Sequence, residues 1–186
     1  MKRYAVVVCV CALVWGFGCA KKVERAEETP GSAPAVESTA KATHAEMAPG
    51  FALKDLQGNT VTLSSYKGTQ PVLLMFWTTW CPFCRMGLKN VSGRAAQLKD
   101  ADLAFIAVDT GEDLAKVKDF IEKNKYTFTV VLDEDGMVSS HYHLIGVPTY
   151  VLIGKDGGIL TSQNEFPADF KELIGVPASP ATNEKK

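Results

Sequence analysis

Hydrophobic and polar positions along residues 49–175 follow the pattern of a single α/β domain. Two continuous apolar runs, VLLMFW at 72–77 and LAFIAV at 103–108, have the length and composition of strands buried on both faces. The segments 51–53 and 60–63 flank Gln57-Gly58-Asn59, a hairpin signal. Residues 128–132 read as a short strand or an extended link. Residues 149–153 and 158–161 read as strands joined by the turn Gly154-Lys155-Asp156-Gly157. Between them fall helical stretches. Residues 82–98 begin with Pro82 at the permitted first turn. Residues 114–124 place Leu114, Val117, Phe120 and Ile121 on one face. A short helix is expected over 136–143 and a closing helix over 168–173. The alternation implies a central mixed sheet flanked by helices.

The flanks of this domain have a different character. Lys2 and Arg3 precede an unbroken apolar run of eleven residues, 5–15, the length of a secretory core and too short to span a bilayer. Gly16 and Gly18 then precede Cys19. This resembles a bacterial lipoprotein signal, in which cleavage needs a small residue just before the Cys, and implies a signal peptide over 1–18 and lipid on Cys19. The family pattern prefers Leu three residues before the Cys, where this chain has Gly16. A plain cleaved signal or an uncleaved anchor is the alternative. Residues 20–48 contain no aromatic residue, Leu or Ile and are rich in Ala, Glu, Lys, Thr, Ser and Pro. Such a stretch buries too little apolar surface to offset the entropy of ordering. With Cys19 it forms a disordered tether over 19–48, with a mean span of about 30 Å as a flexible coil. His44 reads as a solvated residue of that tether. The segment 176–186, VPASPATNEKK, reads as a flexible tail.

Composition narrows the classes of function. The 186 residues carry a formal net charge of −1, which becomes −3 once Lys2 and Arg3 are removed. There is no basic excess of the kind nucleic-acid binding needs. With 46% hydrophobic residues the chain is not a disordered protein. Five Cys are too few for a disulfide-dense scaffold. Cys9 and Cys11 lie inside the export signal, leaving Cys19, Cys81 and Cys84. If Cys19 carries lipid, one C-x-x-C pair remains, and export places it in an oxidising compartment.

Cys81-Pro82-Phe83-Cys84 stands where the 82–98 helix begins. Side chains one helical turn apart face each other, so the two sulfurs can close a short disulfide. The free N–H groups and dipole of a helix N-terminus favour thiolate over thiol. Cys81 is therefore the expected nucleophile, with Cys84, one turn further in, as the resolving thiol. Other readings exist. Zinc or copper would need two more ligands, for which His141 and His143 are the candidates. A purely structural bridge across four residues would stabilise little. His141 and His143 otherwise read as surface residues of a short helix.

The stretch Phe76-Trp77-Thr78-Thr79-Trp80-Cys81-Pro82-Phe83-Cys84-Arg85, together with Gly146-Val147-Pro148-Thr149-Tyr150, resembles the thioredoxin superfamily. Pro148 lies 64 residues beyond Cys84. The likeness is greatest to the extracytoplasmic TlpA/ResA/DsbE-type branch. Residues 49–59 match its N-terminal hairpin addition, and residues 114–142 match its central insertion. The resemblance implies a thioredoxin-like fold and a cis Pro148. The Val147 backbone would pair with a substrate segment beside Cys81, and Trp80, Pro82 and Phe83 would complete the substrate-binding surface. Trp77 is expected in the core, and Trp80 partly so. Two departures stand out. Thioredoxin has a buried Asp at the position of Met75, and many tethered relatives have a Glu at the position of Gly87; those acids manage protons beneath the pair. The peroxiredoxin pattern is not met, because Leu74 stands where it requires Pro.

The resemblance implies a membrane-tethered thiol–disulfide oxidoreductase facing the periplasm or cell exterior. It would reduce disulfides in envelope proteins such as apocytochrome c. It would act as a monomer, take electrons from a membrane dithiol protein, and use no nicotinamide, flavin or metal. The alternatives are a metal-binding chaperone using Cys81, Cys84 and His141 or His143, and a thiol oxidant of the same fold.

Overall fold

The apolar run Val72–Trp77 is a strand with every side chain buried. It lies at the heart of a computed structural model that describes residues 46–176. The strands are β1 (Ala52–Asp55), β2 (Thr60–Thr62), β3 (Val72–Trp77), β4 (Ala104–Thr110), β5 (Thr129–Asp133), β6 (Thr149–Ile153) and β7 (Ile159–Gln163). The helices are α1 (Pro82–Gly93), α2 (Ala95–Asp100), α3 (Leu114–Asn124), α4 (Met137–His141) and α5 (Phe170–Leu173). One mixed sheet runs in the order β2-β1-β5-β4-β3-β6-β7. Strand β3 is parallel to β4 and antiparallel to β6, and β4 is parallel to β5. The N-terminal hairpin docks β1 antiparallel on β5, and β7 closes the far edge against β6.

The strict alternation of a strand divides the core in two. Leu73, Met75 and Trp77 face one side with Leu88 and Val91 of α1, Val117 and Ile121 of α3, and both Cys81 and Cys84. Leu74 and Phe76 face the other side with Ile106, Val108, Val131, Val151 and Val138 of α4. Both faces are covered, which is why the central runs are continuous rather than alternating. This is the thioredoxin-like architecture expected, with β1–β2 as the added hairpin and α3, β5 and α4 as the central insertion.

Several boundaries differ from the sequence reading. The helix expected over 82–98 is two helices. After Ser92-Gly93, a pair that weakens helical hydrogen bonding, the Arg94 N–H turns back to Val91 and Ser92. A second short helix then carries Leu98 into the core. Strand β4 continues past Val108 through Asp109 to Thr110. In α3, Val117 and Ile121 are buried, but Leu114, its first residue, is exposed. At the N-terminal edge, order begins before residue 49. Met47 bridges Gly158, the Ile159 N–H donates to Glu46 O (2.8 Å), and the Ala48 N–H donates to Gly157 O (3.0 Å). These main-chain bonds let 46–48 join the sheet edge without burying a large side chain. The signal expected over 1–18, Cys19, the tether up to residue 45 and the tail beyond Val176 lie outside the described residues. Among the described residues no helix is long and apolar enough to cross a membrane.

Candidate active site

Strand β3 ends at Trp77, and Thr78-Thr79-Trp80 lead directly into α1. Cys81 is the N-cap of that helix, extended at φ −79°, ψ 116°, with Pro82 next. Its Sγ accepts the Cys84 N–H at 3.1 Å, so the sulfur takes the place that a Ser or Asp oxygen fills at other helix starts. Cys81 and Cys84 are joined by a disulfide with their Cα atoms 5.2 Å apart. Cys81 retains 4% of its surface and Cys84 none, so attack from outside must fall on Cys81. No acidic residue occupies the first turn of α1. The helix dipole is thus unopposed there in favouring a thiolate when the bridge opens.

The cis peptide Val147–Pro148 lies against this pair, and Val147 O is 3.6 Å from Cys81 Sγ. Asn164 secures the loop by donating from Nδ2 to Pro148 O (2.8 Å), and Thr149 Oγ1 donates to Gly146 O (2.7 Å). Around the sulfurs, Trp80 is 63% exposed and Phe83 68% exposed, and Met86 also projects into solvent. Trp80 is therefore surface, not partial core. Trp77 is fully buried and tilts against Phe120, ring centroids 5.4 Å apart. A groove of about 370 Å³ runs from Phe83 and Met86 past Pro148 to Tyr150 and Phe166. The structure thus brings Cys81, Pro82, Phe83, Val147 and Pro148 together at one place, with Cys84 buried beneath Cys81 and Trp80 on the loop beside them.

The expected metal alternative is not assembled. His141 and His143 are exposed at the end of α4, and no three His, Cys, Asp or Glu side chains among the described residues group as metal ligands.

The two acids missing from positions 75 and 87 leave a physical trace. A Cβ on Gly87 would collide with the Tyr150 hydroxyl and stand 2.8 Å from the Met75 methyl. Tyr150, whose hydroxyl burial pushes up to about 12, occupies that space. An acid is found elsewhere. Asp109, on β4 and paired in register with Trp77, has none of its surface exposed. Glu112, just before α3, accepts the Thr79 N–H (2.5 Å) and the Thr79 hydroxyl (2.8 Å), and Lys116 Nζ lies 2.5 Å from Oε1. Arg85 Nε in turn donates to Thr79 O (2.6 Å). Burial pushes Asp109 up to about 8, aided by the neighbouring carboxyl of Glu112 and its negative charge. Burial also works against the charge of Glu112. The Lys116 ammonium, the two Thr79 donors and Asp109 outweigh it and hold Glu112 below its ordinary value.

Sequence reading passed over Asp109, Glu112, Asn164 and Phe166, and gave Tyr150 no role beyond its place in the Gly146–Tyr150 motif. Only Asp109 carried a signal, as a charge directly following the apolar run LAFIAV. The partners of the others are fixed by distant segments.

Known proteins resemble this arrangement along most of the domain. The family model described as "AhpC/TSA family" matches residues 45–162. The thiol-disulfide oxidoreductase ResA of Bacillus thuringiensis subsp. konkukian is 34% identical over 113 residues, 61% of this chain and 65% of that protein. The chain thus spans just under two thirds of the length of that relative. A crystal structure of a putative thiol:disulfide interchange protein DsbE from Chlorobium tepidum superposes with a TM-score of 0.62 at 29% identity. The match covers 73% of this chain and 96% of that one. A secreted Mycobacterium tuberculosis disulfide oxidoreductase, described as homologous to E. coli DsbE, matches with a TM-score of 0.56 at 30% identity. Here 68% of this chain and 92% of that one are covered.

Proposed function

The chain belongs to the AhpC/TSA family, and from that premise we propose that it is a thiol–disulfide oxidoreductase acting outside the cytoplasm, tethered to a membrane through lipid on Cys19. The observation that carries this reading is the Cys81–Cys84 disulfide at the N-terminus of α1, with the cis Val147–Pro148 peptide against it.

In the reduced protein the Cys81 thiolate attacks one sulfur of a substrate disulfide. That S–S bond breaks, a mixed disulfide forms on Cys81, and the other substrate sulfur leaves as a thiolate that takes up a proton. Cys84 then loses its proton and attacks Cys81 Sγ. The mixed disulfide breaks, the second substrate sulfur leaves and is protonated, and the Cys81–Cys84 bridge is restored. Two electrons pass to the substrate. A membrane protein carrying a dithiol returns the pair to its reduced form by the same chemistry in reverse. Burial of Cys84 keeps the resolving thiol from competing partners, and the edge of Cys81 is what a substrate reaches.

Substrates are disulfide-bonded envelope proteins, such as apocytochrome c, held as an extended segment. Trp80, Pro82 and Phe83 supply apolar contact, and the Val147–Pro148 backbone supplies strand-like pairing. The protein works as a monomer. The signal-like apolar run before Cys19, and the likeness to a secreted Mycobacterium tuberculosis disulfide oxidoreductase, support the extracytoplasmic placement.

The deciding experiment is the reduction potential of the Cys81–Cys84 pair, read from tryptophan fluorescence in a thiol–disulfide buffer. A value of about −250 mV or lower belongs with the thioredoxin-like reductants and supports this direction. A value near about −120 mV belongs with strong oxidants and reverses it.

A further inference from the structure

We propose that Asp109 and Glu112 form a proton-holding carboxyl pair beneath the active-site loop, and that Asp109, acting through Glu112 and Thr79, is a positioning residue that makes the reactivity of Cys81 depend on pH. The proposal rests on the redox reading above.

Four buried side-chain atoms among the described residues lack a hydrogen-bond partner: Trp77 Nε1, Thr78 Oγ1 and the two oxygens of Asp109. Trp77 and Asp109 pair near the C-terminal ends of the adjacent strands β3 and β4, and Thr78 follows β3 at the start of the Cys81 loop. Buried orphan groups concentrated at one place call for a functional account. Alternation along β4 puts Asp109 on the same sheet face as Phe105 and Ala107, and those two pack in the cluster that contains Cys81 and Cys84. The groups acting on Asp109 are the carboxyl and, more weakly, the N–H of Glu112, with the Lys116 ammonium of α3 behind them. Asp113 faces Lys116 in turn. From the active-site loop, Thr79 contributes its N–H and hydroxyl to Glu112, and Arg85 of α1 reaches Thr79 O.

A fully buried carboxyl without a partner resists ionisation, the more so with a second carboxylate three residues on, so at neutral pH the pair holds one proton, on Asp109. The charged Glu112 is then free to clamp Thr79, two residues before Cys81. Above about pH 8 the proton leaves. A second buried negative charge then repels Glu112 and stands under the loop, where it disfavours a Cys81 thiolate and loosens the Thr79 clamp. No bond to sulfur is made or broken by this pair, and its proton exchanges with solvent.

The test is the rate of iodoacetamide alkylation of Cys81 in the reduced full chain, measured from pH 5 to 10. The wild type is expected to depart from a single thiol ionisation, with a second inflection near pH 8. Asp109→Asn, which keeps the shape but cannot ionise, is expected to lose that inflection. Glu112→Gln is expected to move it to lower pH. A wild-type profile with one ionisation, or a folded Asp109→Asn protein with the wild-type profile, overturns the proposal. Infrared difference spectra of the wild type provide a check that does not depend on the variant folding. A protonated carboxyl C=O band lost between pH 7 and 9 is expected, and its absence overturns the proposal. Disulfide reduction by the same wild-type sample is read separately. Its failure with the inflection intact would remove the redox reading and leave the carboxyl pair standing.

Discussion

The carbonyl oxygen of Val147 lies 3.6 Å from Sγ of Cys81, although 66 residues separate them. The contact exists because β3 and β6 are antiparallel neighbours, with Phe76 opposite Thr149, so the end of one strand meets the start of the other. Under the proposed function, a substrate disulfide that reaches Cys81 would meet the Val147 backbone at the same moment.

The unequal exposure of the two sulfurs makes the two serine variants different. Cys81→Ser is expected to abolish reduction of a disulfide substrate. Cys84→Ser is expected to form the first mixed disulfide and stop there, because the resolving thiol is gone. Non-reducing electrophoresis with a disulfide-bonded test protein distinguishes them. A Cys84→Ser protein that turns over at the wild-type rate contradicts these roles.

Asn164→Ala removes the donor to Pro148 O. A partly exposed neutral hydrogen bond contributes about 1 kcal/mol, so stability should fall by no more than that. Disulfide reduction should show a lower kcat/KM if the Val147–Pro148 loop positions substrate as proposed, because that loop is then less constrained. Urea unfolding and steady-state kinetics on one preparation read both effects.

Gly87→Ala should destabilise the protein even though alanine is the better helix former by about 1 kcal/mol. The added methyl meets the Tyr150 hydroxyl and the Met75 methyl, and overpacking of this kind typically costs about 1–3 kcal/mol. Adding Tyr150→Phe, which deletes the hydroxyl, should recover part of the loss. Thermal unfolding of the single and double variants checks the sign.

Asp109 also sets a slope in stability against pH. Its folded pKa of about 8 lies above that of an unfolded aspartate, about 4, so the folded state binds the extra proton between those values. Stability from this group therefore falls as pH rises from about 4 to 8. Asp109→Asn should remove that fall and be the more stable protein above pH 8, by on the order of a few kcal/mol. Glu112, held below its ordinary value, acts in the opposite sense, and its contribution is lost only as pH drops into the acid range. Denaturant midpoints at pH 6 and pH 9 separate the two.

The strands, the hairpin and the helix that starts at Pro82 were legible in the sequence because each rests on a local rule. Continuous apolar runs mark doubly covered strands, and Cys-Pro-Phe-Cys at a helix start marks a thiolate-favouring N-terminus. The pairing of that motif with Val147-Pro148 was legible only through resemblance to a family. The helix break at Arg94 was missed because apolar periodicity continues through Ser92-Gly93 to Leu98, while hydrogen-bond continuity does not.

What the sequence determined by itself is the chemistry available: two cysteines one helical turn apart, no further thiol in the domain, and neutral residues at positions 75 and 87. Tertiary structure alone decided what surrounds that chemistry. Strand register set Asp109 beside Trp77, and the start of α3 aimed Glu112 at Thr79, 33 residues away in the chain. Tyr150, from β6, filled the space over Gly87. The ionisation of a carboxyl depends on burial and on the charges facing it, and those come from segments that meet only when the sheet is assembled.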